Sequence, residues 1–405
     1  MLNNKTLVAI SLVLATGFHF IFYFGWYGPS NNVSLGTYII AWGAVLLLLY
    51  LYALTNWKTT IKGSGTTIIF GFLVLILFIA LIRSILKVHD LRALVKLLFD
   101  TYTGLSLFPI LFFVIGSNSK YFLLINRILS VYCLLAFAIS LIFLEYFELN
   151  IFLLMPISYL ILTFPMQSNR NRILTLIMSV TVIVVSLTNR AGVMRIMISY
   201  LIVIIYYAIS SLKVNKKLIK IVVFCITLLP FYFLYLGING KNVFEDISGT
   251  QAEDYSQADL SADTRTFLYY EVFQDLKFNK SFVFGKGIDG GYSSEIFQTF
   301  SRSTVEVGFL QILLKTGIVG FLAYFALLFS AIFMALGKSK SIFMKCLGLL
   351  LSSYVLMLFL ENVIAFNLLN VSIWLAVGMC HSRVLLSLND EEIKKLYTNV
   401  MVKKM

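Results

Sequence analysis

Four arginines lie where a mostly apolar chain has to accommodate their charge, and each therefore needs an anionic partner. They are Arg190, Arg195, Arg265 and Arg302. Arg190 lies between two apolar stretches, and Arg195 follows five residues later. A planar guanidinium binds two phosphate oxygens at once, so several arginines at one membrane face would suit a lipid-linked diphosphate. The alternative for each arginine is contact with lipid headgroups or with a nearby carboxylate.

A carboxylate, Glu306, begins the apolar stretch that follows these arginines. A carboxylate at the edge of a low-dielectric region takes up a proton more readily than one in water. Glu306 is therefore a candidate general base for deprotonating a sugar hydroxyl. The alternative is a glutamate that is stabilised at the start of a helix by the helix dipole.

The elements that must position these side chains are membrane-spanning helices. Of the 405 residues, 60% are hydrophobic and 13% are charged, whereas a soluble domain has about half and a quarter. Apolar blocks of roughly 18–25 residues predict an all-α, polytopic helical bundle with about 12 spans. The first block is too long for a signal-peptide core and is predicted to be retained. The predicted spans are 6–27, 34–54, 67–86, 93–115, 121–144, 150–166, 173–188, 191–212, 218–237, 305–336, 343–361 and 363–386.

The spans divide the chain into four parts. A bundle of nine spans is predicted over 1–237, a large external loop over 238–304, three further spans over 305–386, and a tail over 387–405. Lysine and arginine concentrate in alternate short connections, which predicts that both termini are cytoplasmic and that the large loop is external.

One cluster of cations departs from this rule, because it lies around an external connection. Either this segment lies along the membrane interface or its cations face an anionic ligand. A local helical ion pair between Lys96 and Asp100 is a further alternative. The cluster consists of Arg83, Lys87, Arg92 and Lys96.

Metal, cofactor and nucleic-acid functions have no support in the sequence. The three histidines are scattered, and the four cysteines lie in apolar blocks without metal-ligand spacing. The net charge of +13 is distributed between apolar blocks, so lipid headgroups explain it better than nucleic acid. No metal site and no cofactor are expected.

The second half of the loop has a helical rhythm over 265–280, and short helices are expected in the loop. Residues 284–291 then predict a tight glycine-rich turn. This turn lacks the lysine-serine ending of a nucleotide-binding loop, so that function is rejected.

Four short motifs follow one another in a fixed order. A small polar residue precedes Arg190 in a hairpin, Arg265 opens the loop helix, a Phe-Gly-x-Gly turn covers 284–287, and leucines with paired glycines follow over 310–320. Together these motifs resemble the O-antigen polymerase (Wzy) and O-antigen ligase (WaaL) superfamily. The ligase branch usually has a histidine-asparagine pair four residues before the first of those leucines. This chain has Glu306-Val307 there, which favours the polymerase branch.

The resemblance implies a multi-pass protein of the bacterial cytoplasmic (inner) membrane that joins undecaprenyl-diphosphate-linked oligosaccharides into O-antigen or capsule polysaccharide by inverting transfer. Arg190 and Arg265 would bind the donor diphosphate, and Glu306 would be the base. Arg302 and Lys286 would bind the acceptor diphosphate or acidic sugars, and Tyr292 would stack on sugar rings. Membrane lipids and a chain-length regulator are the other implied partners, and neither metal nor cofactor is needed.

Three rival functions stay open. A ligase would move finished glycan to a second acceptor, such as lipid A or a protein. A flippase or secondary transporter would commonly show internal repeats with broken spans in matching positions, and the sequence shows no such pairing. An inactive membrane scaffold would leave the arginines and Glu306 unexplained.

Overall fold

A computed structural model of the chain describes most of its apolar segments and the second half of the large loop. It describes residues 4–27, 42–52, 65–102, 104–143, 145–146, 149, 153–185, 190–212, 264–294, 299–362 and 364–398, with isolated positions at 221, 228, 232 and 235. Apart from those four positions, the predicted span over 218–237 lies outside the described residues, as does the acidic first half of the loop.

The described residues form helices and one short two-stranded ribbon. The helices are α1 (Asn4–Tyr27), α2 (Trp42–Tyr52), α3 (Gly65–Ile85), α4 (Leu91–Phe99), α5 (Phe112–Gly116), α6 (Phe122–Ile142), α7 (Ile157–Leu162), α8 (Asn169–Val185), α9 (Arg190–Leu212), α10 (Thr264–Phe278), α11 (Gly308–Lys338), α12 (Ile342–Leu360), α13 (Leu368–His381), α14 (Arg383–Ser387) and α15 (Asp390–Thr398). The antiparallel strands are β1 (Tyr292–Ser294) and β2 (Thr299–Arg302).

The predicted fold class, an all-α polytopic membrane bundle, is confirmed. Among the described residues, 6 helices are long and apolar enough to cross a membrane. They are Asn4–Trp26, Gly65–Ile85, Ser119–Ile142, Gly192–Ile209, Gly308–Lys338 and Ile342–Phe359. The ribbon was not predicted, because strands of three and four residues are too short to show a period-two pattern.

Two of the predicted spans are interrupted near prolines. Between α4 and α5, the segment predicted as 93–115 contains a turn and a 3-10 helix over Phe108–Leu111, with Pro109 near its start. Between Pro156 and Pro165, the segment predicted as 150–166 holds only α7 and a second 3-10 turn. Proline lacks the backbone N–H that a helix interior requires, so it limits helices at both sites.

Helix α11 lies in the centre of the bundle, where it packs against α3, α12 and α13. By contrast, α3 exposes many apolar side chains, as a lipid-facing helix does. At the end of α12 far from the loop, the Asp390 carboxylate of α15 accepts hydrogen bonds of 3.0 Å from the backbone N–H groups of Ile342 and Phe343. The C-terminal helix therefore caps α12.

The large loop docks on a break inside α11. At Gly317 the backbone has φ 68° and ψ −174°, which no helix accommodates. The carbonyls of Leu314 and Lys315 accept hydrogen bonds from the N–H groups of Lys286 and Gly287, at 2.8 and 3.2 Å. Beyond the break, the N–H groups of Ile318 and Val319 donate to the carbonyls of Phe282 and Val283, at 2.9 and 3.3 Å. The loop thus replaces the two helical hydrogen bonds that the break removes.

The glycine-rich turn predicted over 284–291 makes two of these bonds, and the two residues just before it make the others. Gly285 has φ 66°, and a Cβ there would collide with the backbone of Lys315 and Gly317. Only glycine combines a positive φ with such a close approach. We call residues 282–287 the docking turn.

The cations at the end of α3 bind the docking turn. The Arg83 guanidinium donates to the Phe284 carbonyl at 2.9 Å, and the Lys87 ammonium donates to the Lys286 carbonyl at 3.2 Å. Arg83 and Lys87, two of the four cations that depart from the orientation rule, therefore have backbone carbonyls as partners. The side chains of Arg92 and Lys96 lie outside the described residues.

A fully buried lysine, Lys315, connects the segment between α4 and α5 to the break. The Lys315 ammonium donates to the Tyr102 carbonyl at 2.6 Å and to the Ser106 hydroxyl at 3.2 Å. The irregular segment between α4 and α5 is therefore fixed to the first part of α11.

Replacing Gly317 by alanine should destabilise the protein by more than about 1–3 kcal/mol, the cost of holding a non-glycine residue in such a backbone region. The new Cβ would also collide with the Val283 carbonyl of the docking turn. Thermal unfolding in detergent measures the effect. Gly337→Ala, in the same helix with open space around its Cα, is the matched control, and equal melting temperatures for the two variants would contradict this account of the break.

Candidate functional site

The residues that could do chemistry gather at the loop end of the bundle, where the ribbon leads into α11. Within the ribbon Tyr292 is the register partner of Arg302. Four residues after Arg302, the Glu306 carboxylate accepts a hydrogen bond of 2.8 Å from its guanidinium. The Glu306 side chain is 43% exposed and that of Arg302 is 24% exposed. Glu306 is therefore held in place and still accessible to a ligand.

The ribbon residues interact with Glu306, with one another and with the loop helix. Burial acts to lower the pKa of Arg302, but its contacts with Glu306 and Tyr292 outweigh this and raise it. Burial raises the pKa of Tyr292, and the Arg302 charge offsets this only in part. Behind the ribbon, the Ser294 hydroxyl donates to the Glu271 carboxylate of α10 at 2.8 Å. The ribbon is therefore fixed to the loop helix.

The segment that carries Glu306 is positioned by a buried glutamine. The Gln311 side-chain carbonyl accepts a hydrogen bond of 2.7 Å from the Val305 N–H. Two residues after Glu306, the Gly308 N–H donates to the Glu361 carbonyl at 3.2 Å. The start of α11 therefore contacts the end of α12.

A second ion pair lies at this junction. The Arg195 guanidinium binds both oxygens of the Glu361 carboxylate, at 2.8 and 2.7 Å. The two side chains are 12% and 19% exposed, so the pair is well shielded from water. The pair joins α9 to the end of α12. The Arg195 guanidinium, a predicted phosphate ligand, is therefore already bound to a carboxylate.

A small cavity lies beside Arg195, and Ser158, Ser199 and Ser353 are among the residues that line it. Its lining is mostly apolar, and Tyr354, Met357 and Leu369 also contribute to it.

Two predicted ligands of the substrate have other partners in the structure. The Lys286 ammonium forms an ion pair with Asp275 of α10 and donates to the Gly291 carbonyl at 2.9 Å. Tyr292 is fully buried, which leaves no ring surface on which a sugar could stack. Both residues hold the loop together.

The elements that carry the remaining predicted residues converge on the same end of the bundle. Arg190 opens α9, whose next turn holds Arg195. Arg265 lies in the first turn of α10, and one turn later the Tyr269 ring contacts Phe359 at the end of α12, with centroids 5.8 Å apart. The side chains of Arg190 and Arg265 lie outside the described residues.

The sequence analysis missed Glu361 and Gln311. Glu361 lies in a short polar connection between two apolar blocks. A carboxylate in such a place needs a cation, just as an arginine there needs an anion, so this signal was available. Gln311 had none, because its role depends on the path of the preceding backbone.

A family model described as O-antigen ligase matches residues 173–325. The match extends from α8 through the loop to the middle of α11, and it includes the docking turn, Arg302 and Glu306. The resemblance to the O-antigen polymerase and ligase superfamily is confirmed, while the branch is not resolved. No curated protein and no solved structure matches the chain.

The Arg195–Glu361 pair should contribute more to stability than the Arg302–Glu306 pair, because it is two-pronged and less exposed. In double-mutant cycles with glutamine at each position, we expect a coupling of about 1.5–3 kcal/mol for the first pair and at most about 1 kcal/mol for the second. Unfolding in mixed detergent micelles gives both values. A larger coupling for Arg302–Glu306 would refute this ranking.

Proposed function

We propose that this chain is a polysaccharide polymerase. It joins undecaprenyl-diphosphate-linked oligosaccharide units at the outer face of the bacterial cytoplasmic membrane, with inversion at the anomeric carbon. The observation that carries the proposal is Glu306, an accessible carboxylate ordered by Arg302 at the start of α11. It lies inside the region matched by the family model, at the position where the ligase branch has a histidine-asparagine pair.

The reaction needs a base, a donor site and an acceptor site. Glu306 takes the proton from the acceptor hydroxyl, whose oxygen bonds to the anomeric carbon as the bond to the diphosphate breaks. Arg190 and Arg265 bind the donor diphosphate and stabilise the charge that develops on it. Arg302 orients Glu306 and lies close enough to contact the acceptor.

The ion pairs within the bundle support this division of labour. Since Arg195 is neutralised by Glu361, its role is to hold the first turns of α9 against α12. Arg190 lies five residues earlier in the same helix, and on this basis we propose that it lies near the start of α11. The diphosphate site is therefore proposed to lie between the first turns of α9 and α10, facing Glu306.

Orientation in the membrane is part of the proposal. Lysines and arginines in alternate connections favour a cytoplasmic position for both termini, and the loop would then lie outside. Arg83 and Lys87 fit this arrangement because they bind loop carbonyls.

The product formed from purified lipid-linked repeat units tests the assignment. The unsubstituted protein should give a ladder of lengthening chains, and Arg265→Ala should give none at an unchanged membrane level, because the donor diphosphate loses its arginine. Arg170→Ala, an exposed arginine in the first turn of α8, should keep the ladder and serves as the control. Transfer to an added second acceptor without a ladder would identify a ligase, and normal chains from Arg265→Ala would remove Arg265 from the mechanism.

Loss of the base gives a second test. Glu306→Gln keeps the size of the side chain and removes its proton acceptor, so the rate of chain extension should fall by about 10²–10⁴-fold. Glu306→Asp keeps a carboxylate at this position and should restore part of the rate. A Glu306→Gln rate within tenfold of the unsubstituted protein would exclude Glu306 as the base.

A further inference from the structure

The loop helix has apolar side chains on two opposite faces. Leu268, Tyr269, Val272 and Leu276 are buried against the bundle. On the other side, Tyr270 is 55% exposed and Phe278 is 89% exposed. Exposed apolar side chains mark a contact surface when they form one contiguous patch.

The docking turn continues the exposed apolar surface. Phe282, Val283 and Phe284 are 37%, 48% and 58% exposed, while their backbone groups are engaged by α11 and Arg83. A groove of about 570 Å³ runs between α10 and the turn. Its lining includes Phe273 together with two cations, Lys277 and Lys280.

The position of this surface is fixed relative to α3. The Arg83 guanidinium, in the last turn of α3, reaches the carbonyl of Phe284. Just before Arg83, Phe78, Ile79 and Ile82 are 58%, 43% and 41% exposed, as lipid-facing side chains are. The exposed aromatics therefore begin at the level where the apolar surface of α3 ends.

We propose that this surface is a membrane anchor that binds an anionic phospholipid. An acyl chain lies in the groove, and the phosphate contacts Lys277 and Lys280. The anchor comprises Tyr270, Lys277, Phe278, Lys280, Phe282, Val283 and Phe284. Aromatic rings and lysines together are the composition of the membrane–water interface, and each lysine near an anionic leaflet adds to the attraction.

Two features favour lipid over a second copy of this chain. The surface is continuous with the lipid-facing side of α3, and its charges are both positive, so two copies brought face to face would repel. This proposal depends on α3 crossing the membrane, and it does not depend on the proposed reaction. Its consequence is mechanical: an anchored turn fixes the break in α11, and with it Glu306, at one depth in the interface.

Spin labels test the depth of the anchor in bilayer discs of phosphatidylcholine and phosphatidylglycerol. Phe278→Cys and Phe284→Cys carry the labels, and the unsubstituted protein sets the background from its own cysteines. Ile79→Cys is the lipid-facing control, and Ser293→Cys, exposed in the middle of β1, is the water-facing control. Labels at 278 and 284 should be reached by oxygen more than by a water-soluble nickel complex, as at 79.

A pattern like that of Ser293→Cys at both anchor positions would overturn the proposal. So would dipolar broadening between labels of neighbouring molecules, because it would show that a second copy covers the surface.

The charge requirement has its own test. Raising the phosphatidylglycerol fraction should increase the depth and immobility of the label at 284. Lys277→Gln with Lys280→Gln should abolish this dependence, while Lys338→Gln with Lys340→Gln, two exposed lysines at the other end of the bundle, should leave it intact. An unchanged dependence in the first pair of substitutions would show that these lysines do not bind the lipid phosphate.

Discussion

The arrangement of the loop end depends on the exchange of backbone hydrogen bonds between the docking turn and the break in α11. Peptide groups that face an apolar interior have to be paired, since each unpaired group costs about 1–3 kcal/mol. At Gly317 the helix loses two internal hydrogen bonds. The docking turn supplies partners for the two carbonyls before the break and the two N–H groups after it. The turn depends on the helix in the same way, because the carbonyls of Phe282 and Val283 and the N–H groups of Lys286 and Gly287 are paired at the break. Each of these two elements therefore requires the other.

This interaction brings remote parts of the chain to one place. Arg83 and Lys87 reach the turn from α3, and Lys315 reaches the irregular segment before α5 from the break itself. The ribbon and the start of α11 follow directly, with Gln311 and the Glu361 carbonyl holding the backbone on either side of Glu306. The Arg302–Glu306 pair is thus held at a junction of α3, α11 and α12, although Arg302 belongs to the loop.

The cations of the site differ in their partners and in their exposure to solvent. Arg83 and Lys87 bind carbonyl groups, whereas Lys286 is paired with Asp275, Arg195 with Glu361 and Arg302 with Glu306. Of these, the Arg302–Glu306 pair is the most open to solvent, and it lies within the region matched by the O-antigen ligase model. An ordered but accessible carboxylate beside an arginine is suited to a sugar hydroxyl and an anionic leaving group. This is the physical basis for proposing glycan transfer at this site.

The sequence by itself determined the architecture, because hydrophobicity acts over the length of a span and can be counted along the chain. It also predicted the loop helix, since the apolar rhythm from Phe267 to Leu276 is local, and the tight turn at Gly285, since positive φ favours glycine. The superfamily followed from short motifs in a fixed order. Only the tertiary structure decided which charges are neutralised: Arg195 meets Glu361 across 166 positions, and no local pattern records such a pairing. The break at Gly317 was hidden for the same reason. A glycine inside an apolar helix is unremarkable until a second segment arrives to satisfy the backbone that it exposes.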